Sequence, residues 1–184
     1  MRKIVASQFI SLDGVVEAPD QWHFPYFNDE MGQAVWSALS TSDTLLLGRV
    51  TYEEFAAAWP DRTEEPDEMV DFMNNTPKVV VSTTLDKVEW KNSTLIKGNV
   101  FEEIRKLKEQ PGGDIGTTGS VTLIRSLLAE GLIDEIKLLV HPIVVGGGRL
   151  RLFDPDSPTV PLKLVESQTF TTGVLNLTYV PADA

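Results

Sequence analysis

Two glycine-bearing turns carry residue types from which a phosphate-binding site can be built. The first turn, around Gly48, offers a permissive backbone, the forked cation of Arg49 and the hydroxyl group of Thr51 at a helix start. The second turn contains Gly119 and Ser120 and also leads from a strand into a helix. Helix N-termini present unpaired N–H groups and a partial positive charge, so two such turns facing one crevice suit the two phosphates of a dinucleotide.

Each turn taken alone is equally explained by ordinary helix capping. Glycine, serine and threonine are common wherever a strand leads into a helix. Neither turn contains the Gly-x-Gly-x-x-Gly fingerprint or a Walker loop. The order and spacing of the two turns therefore carry more weight than either turn alone.

A dense aromatic group lies ahead of the first long predicted helix. It runs from Trp22 to Phe27 and includes His23, Phe24 and Tyr26. Aromatic side chains at this density stack on a planar ring, or equally form a hydrophobic plug over the sheet. The sequence leaves both interpretations open.

Charge and composition restrict the classes of partner. The 184-residue chain has a formal net charge of -11, which repels phosphate backbones and anionic lipid, so we expect no nucleic-acid or membrane partner. It has no cysteine and two histidines, which excludes disulfides and zinc–thiolate sites and disfavours a transition-metal site. No Gly-x-Ser-x-Gly elbow supports a serine hydrolase. The first apolar run is too short for a signal peptide or a membrane span, and we expect a cytoplasmic setting.

Hydrophobic patterning predicts strands that alternate with helices. Strands are predicted at Ile4–Ile10, Thr44–Leu47, Lys78–Val81, Leu95–Ile96, a short segment from Asp114, Ile136–Val140, Leu162–Phe170 and Val174–Val180. Helices are predicted after a cap at Asn28, at Thr51–Ala58, within the acidic stretch Asp61–Asp71, at Val100–Lys108 after a cap at Asn99, and between Gly119 and Gly131.

The order of these elements predicts the fold class. Strands and helices alternate through the first three quarters of the chain, and consecutive strands joined through Thr171–Gly173 close it. This order is typical of an α/β sheet with an antiparallel edge and a C-terminal hairpin. The length suits a single domain spanning residues 1–184.

An ordered set of motifs resembles the dihydrofolate reductase superfamily. The set comprises Leu47–Glu53, Val79–Thr83, Thr118–Ser120 and Gly131–Glu135. Within that superfamily, Ser11–Gly14 and His141–Gly148 are similar to the branch that contains the riboflavin-biosynthesis reductase domain. The resemblance covers nearly the whole chain, and its specificity lies in the order of motifs that are individually loose.

The resemblance implies a dihydrofolate reductase-like, mixed and mainly parallel eight-stranded sheet flanked by helices, NADPH as hydride donor, and a homodimer. The positions that match the family's cofactor-binding turns and strand ends are Gly48, Arg49, Thr51, Ser82, Thr83, Gly119, Ser120 and Val121. In the family, Arg49 lies near the adenosine side, and Ser82 and Thr83 contact the ribose phosphate. An extra phosphate favours arginine and hydroxyl donors over a ribose-binding acid, so NADPH is preferred to NADH.

On the substrate side, the resemblance points to the start of the first long helix. Folate enzymes carry a proton-donating carboxylate there, which Asp29 or Glu30 matches, although acids in a first helical turn also simply stabilise the helix dipole. Asp13 matches the loop that closes over nicotinamide, or belongs to a plain Asp-Gly turn. With Trp22 and Phe27 it completes the expected substrate-binding set.

Three further side chains near the end of the chain have two interpretations each. His141 is expected to be a partly buried, hydrogen-bonded histidine rather than an acid catalyst. Arg149 and Arg151 flank a glycine run and bind a substrate phosphate or a subunit partner, or else face solvent on a pair of strands.

The sequence therefore favours an NADPH-dependent reductase of a planar heterocycle, resembling 5-amino-6-(5-phosphoribosylamino)uracil reductase or dihydrofolate reductase. True dihydrofolate reduction is the less favoured of these two activities, because no full folate pocket is recognised. The alternatives are a nucleotide-binding module without turnover, and a hydrolase or flavin-binding reductase on a similar sheet. A hydrolase or flavin enzyme would not need Arg49 and Ser82 at the adenosine end.

Overall fold

An eight-stranded sheet organises the chain in the computed structural model, which describes residues 1–62 and 67–182. The strands are β1 Ile4–Ser11, β2 Ser42–Gly48, β3 Lys78–Val81, β4 Ser93–Ile96, β5 Asp114–Thr118, β6 Glu135–His141, β7 Leu162–Thr169 and β8 Leu175–Pro181. Their order in the sheet is β4-β3-β2-β5-β1-β6-β8-β7.

Strand direction confirms the predicted mixed, mainly parallel sheet. Strands β1 to β6 pair with one another in parallel. Strand β8 pairs antiparallel with both β6 and β7. The segment Leu45–Leu47 is at most 1% exposed, as expected for a strand covered by helices on both faces. The closing pair β7–β8 is the predicted C-terminal hairpin.

In the described part of the chain, five α-helices cover the two faces of the sheet. They are α1 Asp29–Ser40, α2 Arg49–Ala58, α3 Glu68–Asn75, α4 Val100–Glu109 and α5 Val121–Ala129, and short 3-10 turns occur at Pro19–Gln21 and Phe24–Tyr26. Helices α4 and α5 pack in the core cluster that contains Leu46, while α2 and α3 pack in the cluster that contains Leu45 and Leu47. Successive side chains of a strand point to opposite faces, so these two clusters lie on opposite sides of the sheet.

Several element boundaries differ from the sequence-based prediction. Helix α2 begins at Arg49 rather than Thr51, because the backbone turns helical directly after Gly48. Asn99 holds the N-cap position of α4 with φ 50°, but its side chain makes no capping hydrogen bond, so the predicted Asn99 cap is wrong in its chemistry. Within the acidic stretch, α3 is the predicted short helix, and residues 63–66 lie outside the described part of the chain.

The parallel strands bring their carboxyl ends to one edge of the sheet. In order across the sheet from β4 to β6, the residues that end these strands are Ile96, Val81, Gly48, Thr118, Ser11 and His141. Ligands of open α/β sheets bind in the crevice beyond this edge. The predicted site residues that follow these strands are therefore neighbours in space.

Candidate functional site

The two glycine turns meet at the junction of β2 and β5. The backbone N–H of Gly48 donates to Ser120 Oγ at 2.9 Å, and the N–H of Ser120 donates to Thr51 Oγ1 at 2.8 Å. These reciprocal bonds join residues about seventy positions apart in the chain and hold the starts of α2 and α5 side by side. The two glycine turns are therefore neighbours in space, and their binding of a dinucleotide remains a prediction.

Gly119 permits this close approach. Its φ is +58°, and a Cβ atom at this position would lie 2.7 Å from Thr51 Oγ1 and 3.0 Å from Thr51 Cγ2. Only glycine adopts this conformation without steric cost and leaves room for the facing threonine. Gln8 Nε2 on β1 donates to the carbonyl oxygen of Gly119 at 2.9 Å, which fixes the turn from its other side.

The starts of α2 and α5 differ from the other helix starts. Neither helix has a side-chain capping bond, and neither has an acidic residue in its first turn. Helices α1, α3 and α4 each carry acidic residues there. The N–H groups of Gly48 and Ser120 are used in the junction itself. In a chain with a net charge of -11, the first-turn N–H groups that follow them, with the partial positive charge of the two helix starts, form a local site suited to an anion.

Arg49 lies at the first position of α2 and is ion-paired along the helix. Its Nη1 lies 2.8 Å from Glu53 Oε2, and both side chains are about half exposed. Exposed pairs at this spacing contribute only a few tenths of a kcal/mol. The guanidinium group can therefore leave Glu53 for a more highly charged anion.

Ser82 and Thr83 follow β3, which pairs with β2 so that Val81 lies opposite Gly48. The Ser82 hydroxyl oxygen is buried and accepts hydrogen bonds from the N–H groups of Thr84 at 3.2 Å and Leu85 at 3.0 Å. Thr83 is exposed. Ser82 thus shapes the loop, while Thr83 is the more accessible hydroxyl group at this strand end.

The aromatic group before α1 divides into a buried and an exposed half. Trp22 and His23 are 5% and 7% exposed, and Trp22 Nε1 donates to the carbonyl oxygen of Glu17 at 3.0 Å. Phe24 and Phe27 are 63% and 51% exposed. Trp22 and His23 thus form a plug, whereas Phe24 and Phe27 are exposed, and stacking of a planar ring on them remains a prediction.

His141 is the centre of the buried half; it is hydrogen-bonded as predicted, but it is fully rather than partly buried and only one of its ring nitrogens has a partner in the described part of the chain. The side chain is 0% exposed, its Nδ1–H donates to the carbonyl oxygen of Leu139 at 2.8 Å, and its Nε2 has no partner among the described residues. The rings of Trp22 and Tyr26 stand nearly perpendicular to it at centroid distances of 5.1 and 5.7 Å. Burial lowers the pKa of His141, so the imidazole is neutral.

Asp13 binds the glycine-containing loop that follows β6. Its carboxylate accepts hydrogen bonds from Ser11 Oγ at 2.6 Å and from the N–H groups of Val145 at 3.0 Å and Gly146 at 2.9 Å. Arg151 Nη2 lies 3.6 Å from the same carboxylate. The Ser11 hydroxyl and the two N–H groups lower the pKa of Asp13 to about 2, so it is an anion at any physiological pH.

The loop partners of Asp13 were not recognised from the sequence. Val145 and Gly146 contribute main-chain groups, which residue type does not reveal. Arg151 forms an isolated bridge with Val15 rather than part of a regular strand pair, and its Nε donates to the carbonyl oxygen of Asp13 at 2.9 Å. Arg151 therefore faces solvent as expected, but the expected regular pair of strands is wrong there.

The two acids at the start of α1 have different environments. Asp29 is exposed. Glu30 Oε2 accepts hydrogen bonds from Thr171 Oγ1 at 2.6 Å, from the Thr171 N–H at 2.9 Å and from Asn28 Nδ2 at 2.9 Å. The Thr171 hydroxyl, the Thr171 N–H and Asn28 lower the pKa of Glu30, so this group is a carboxylate at neutral pH.

A separate groove of about 1550 Å³ lies between α2, α3 and the segment that joins β3 to β4. Its lining includes Glu53, Asp71 and Trp90, and none of the residues predicted for the site. The groove is therefore wide and borders the predicted site without containing any of its residues, since Glu53 in its lining is the ion-pair partner of Arg49.

The described residues restrict two other kinds of site. Across residues 1–62 and 67–182, no group of three or more histidine, cysteine, aspartate or glutamate side chains is placed to hold a metal ion. Within the same ranges, none of the helices has the length and hydrophobicity needed to span a bilayer.

Residues 2–176 match the family model described as RibD C-terminal domain. The Uncharacterized protein YyaP of Bacillus subtilis (strain 168) is 31% identical over 182 residues, which is 97% of this chain and 94% of that protein.

Solved structures share the fold at lower identity. A protein of Shewanella sp. PV-4 named for riboflavin biosynthesis superposes with a TM-score of 0.77 at 23% identity and covers 98% of this chain and 99% of its own. The diaminohydroxyphosphoribosylaminopyrimidine deaminase/5-amino-6-(5-phosphoribosylamino)uracil reductase of Thermotoga maritima has a TM-score of 0.69 at 14% identity, and the match covers 98% of this chain and 57% of that one. Dihydrofolate reductase of Enterococcus faecalis, solved with NADP(H), has a TM-score of 0.65 at 17% identity and covers 98% and 97% of the two chains.

Proposed function

The chain belongs to the RibD C-terminal domain family, and from that membership we propose that it is an NADPH-dependent reductase that transfers hydride to a planar heterocycle. The observation that carries the proposal is the pair of open helix starts at α2 and α5, joined through Ser120 and Thr51. Two adjacent anion sites without side-chain caps or first-turn acids match a ligand that carries two linked phosphates.

The residues of this junction fit a dinucleotide. The N–H groups in the first turns of α2 and α5 would hold the diphosphate, and Gly119 lets the backbone of the second turn approach closely. Arg49 and Thr83 lie toward β3 and would contact the phosphate on the adenosine ribose, with Ser82 shaping that loop. Bound NADPH supplies the hydride ion.

The acceptor ring would lie beside β1 and β6, on the opposite side of β5 from β2 and β3. Phe24 and Phe27 present exposed ring faces there, over the plug formed by Trp22 and His23. Stacking on these faces would orient a planar ring and exclude water from one side of it. Asp13 would fix the loop after β6 that borders the ring.

Reduction of a C=N bond leaves negative charge on nitrogen, which takes up a proton. Glu30 is held as a carboxylate by Thr171 and Asn28, so it accepts hydrogen bonds at neutral pH and does not donate a proton. We assign to Asp29 and Glu30 the ordering of a water molecule that delivers the proton to the ring. Their exchange for amides should test this role.

We expect Asp29→Asn and Glu30→Gln, made separately, to lower kcat by about tenfold or more in at least one variant, within the usual range for general acid–base groups. Binding of NADPH should be unchanged in both variants, because neither acid lies at the helix starts that hold phosphates. Steady-state kinetics as a function of pH, with calorimetry for the cofactor, separates the two effects. Normal turnover in both variants would place the proton source elsewhere.

Titration calorimetry with NADPH, NADH and FMN tests cofactor binding, and NADPH oxidation in the presence of dihydrofolate, dihydropteridines and ribosylaminouracil compounds tests turnover. We expect NADPH to bind most tightly and at least one heterocycle to be reduced. Absence of heat with any pyridine nucleotide would end the proposal. Tight binding of NADPH without reduction of any of these compounds would favour a nucleotide-binding module.

A further inference from the structure

Three carboxylates occupy the hydrogen-bond donors on the acceptor side of the site. We define the acceptor rim as residues 11–30, 142–151 and 170–174, which follow β1, follow β6 and form the β7–β8 turn. Asp13 accepts from the N–H groups of Val145 and Gly146, Glu17 accepts from the N–H of Leu150 at 2.7 Å, and Glu30 accepts from the N–H and hydroxyl groups of Thr171. These main-chain N–H groups are the kind that elsewhere bind phosphate.

The donors around Asp13 form a complete anion cradle. Two N–H groups and the Ser11 hydroxyl surround the carboxylate, and the Arg151 guanidinium group lies 3.6 Å away. A phosphate group would be held by the same combination of main-chain N–H groups, hydroxyl and arginine. In this chain the cradle is filled by the chain's own anion, and the low pKa of Asp13 means that it stays filled at any pH at which the protein is used.

The cofactor side shows the opposite arrangement. The first turns of α2 and α5 contain no acidic residue and no side-chain cap. The cofactor side therefore has no acid or side-chain cap at its two helix starts, whereas the N–H groups of the acceptor rim are hydrogen-bonded to Asp13, Glu17 and Glu30. A second negatively charged group at the rim would meet three fixed carboxylates and the exposed Asp29.

The rim also exposes several large apolar side chains. Leu12 and Val144 are each 68% exposed, and Phe24 and Phe27 are 63% and 51% exposed. The N–H of Leu12 donates to the carbonyl oxygen of Ile143 at 2.9 Å, so the first two side chains project from adjacent backbone. Exposed large apolar side chains gathered at one site mark a surface that binds an apolar or aromatic partner.

We propose that the acceptor is a planar ring without a phosphate group, and that Asp13, Glu17 and Glu30 exclude phosphorylated compounds from the rim. The proposal rests on the proposed reductase function and narrows its substrate class. It separates this chain from the Thermotoga maritima protein, whose name specifies a phosphoribosylamino substrate.

Inorganic pyrophosphate provides a test that needs no knowledge of the substrate. We would titrate it into the uniformly ¹⁵N-labelled chain without NADPH and follow the amide resonances of Val50, Thr51, Val121 and Thr122 at the helix starts, and of Val145, Gly146, Leu150 and Thr171 at the rim. We expect saturable shifts at the helix starts and none at the rim. Shifts at the rim that saturate at similar concentrations would overturn the phosphate-exclusion proposal.

The same titration keeps the two proposals distinguishable. Absent shifts at the helix starts count against the reductase function, whereas rim shifts count against the substrate class alone.

Arg149, which is partly buried beside the glycine run, provides a further check. If pyrophosphate bound to the rim of the wild type and Arg149→Ala abolished this binding, a phosphate site would exist there and the proposal would be wrong.

Removing one resident charge should weaken the exclusion of phosphate, because a neutral amide is displaced from the cradle by an anion more easily than a carboxylate is. In Asp13→Asn we expect pyrophosphate to shift the Val145 and Gly146 resonances with an affinity at least about tenfold higher than in the wild type, because a charge-assisted site then lacks its internal anion. Glu30→Gln, read at Thr171, serves if the first variant does not fold. If a folded variant bound pyrophosphate at the cradle no more tightly than the wild type, the carboxylate would not be what excludes phosphate.

A matched pair of acceptors tests the consequence for turnover. Ribosylaminouracil and its 5′-phosphate differ only in the phosphate group, and NADPH oxidation is measured with each. With the wild type, we expect kcat/KM for the phosphorylated compound to be no more than about a tenth of kcat/KM for the unphosphorylated compound. In Asp13→Asn, we expect kcat/KM for the phosphorylated compound to rise. A higher kcat/KM with the phosphorylated compound would contradict the proposal.

Discussion

We expect the choice between NADPH and NADH to depend on Arg49, which is paired with Glu53 in this structure. The pair is exposed and lies along one helix, so opening it costs little compared with binding a phosphate dianion. The same residue was predicted from its place in the Gly48 turn. Its partner was not, because residue spacing shows that an i,i+4 pair is possible but not that it forms.

We expect Arg49→Ala to raise the Kd for NADPH by about tenfold or more, as a charge-assisted hydrogen bond contributes roughly 1.5 to 3 kcal/mol. The Kd for NADH, which lacks the extra phosphate, should change little. Arg62→Ala is a matched control, because this exposed arginine stacks over Trp59 instead. Equal losses for both cofactors would show that Arg49 does not contact the ribose phosphate.

Lys78 is a buried cation that has no carboxylate partner among residues 1–62 and 67–182. It is 0% exposed, and its Nζ donates to the carbonyl oxygens of Asn74 at 3.2 Å, Thr76 at 2.9 Å and Lys91 at 3.1 Å, with the Trp90 ring centroid 4.1 Å away. Burial, with a smaller effect of the Lys91 charge, lowers the pKa of Lys78 to about 8. The residue joins the C-terminal end of α3 to the segment before β4.

This pKa predicts an unusual dependence of stability on pH. Between pH 8 and about 10.4 the unfolded chain binds a proton at Lys78 that the folded chain has lost, so the free energy of unfolding should rise with pH by on the order of 3 kcal/mol. Urea unfolding at several pH values should show the rise in the wild type and not in Lys78→Met. Lys87→Met, at an exposed lysine, should keep it. Parallel curves for the wild type and Lys78→Met would contradict the assignment.

At the scale of the elements, the Gly119 turn sets the distance between α2 and α5. We expect Gly119→Ala to raise the Kd for NADPH by about tenfold or more, since the added Cβ would force Thr51 and the turn apart. Gly131→Ala is the matched control: its φ is +65°, but no atom lies within 4 Å of the added Cβ. Both variants carry a backbone cost of roughly 1 to 2 kcal/mol, measurable by urea unfolding, and only the first should lose cofactor affinity. An unchanged Kd for NADPH in Gly119→Ala would show that the Gly119 turn is not part of the binding site.

Elements and their order were largely predictable, whereas the rim was not. Runs such as Leu45–Leu47 and the periodic positions of α1 specify buried strands and an amphipathic helix through local pattern alone. The cradle of Asp13 depends on main-chain N–H groups more than 130 residues away, which no local pattern encodes. His141 was misjudged for a related reason, because its burial results from aromatic side chains contributed by β1 and by the segment before α1.

At the scale of the whole molecule, strand β7 forms an unpaired edge. Residues from Lys163 to Thr169 are exposed along the entire strand, with Leu164 48% and Val165 51% exposed. The opposite edge, β4, has only four residues. A long edge strand with exposed apolar side chains is a template for pairing with another strand, which is the place where we expect the homodimer implied by the resemblance to form.

We therefore expect sedimentation equilibrium to give a dimer for the wild type and a monomer for Val165→Lys, because a lysine on each copy would place like charges across the two-fold axis. Val144→Lys, at an exposed apolar residue of the rim, is the control and should remain dimeric. A monomeric wild type, or a dimer that tolerates Val165→Lys, would exclude β7 as the interface.

The central position of β1 has a consequence for biosynthesis. On the ribosome β1 is made before either of its neighbours, since β5 begins at Asp114 and β6 ends at His141. At common translation rates, this leaves the apolar segment Ile4–Ile10 without a partner for on the order of ten seconds. A nascent chain in that interval is a substrate for chaperones, and slower synthesis of the middle of the chain should increase aggregation during expression.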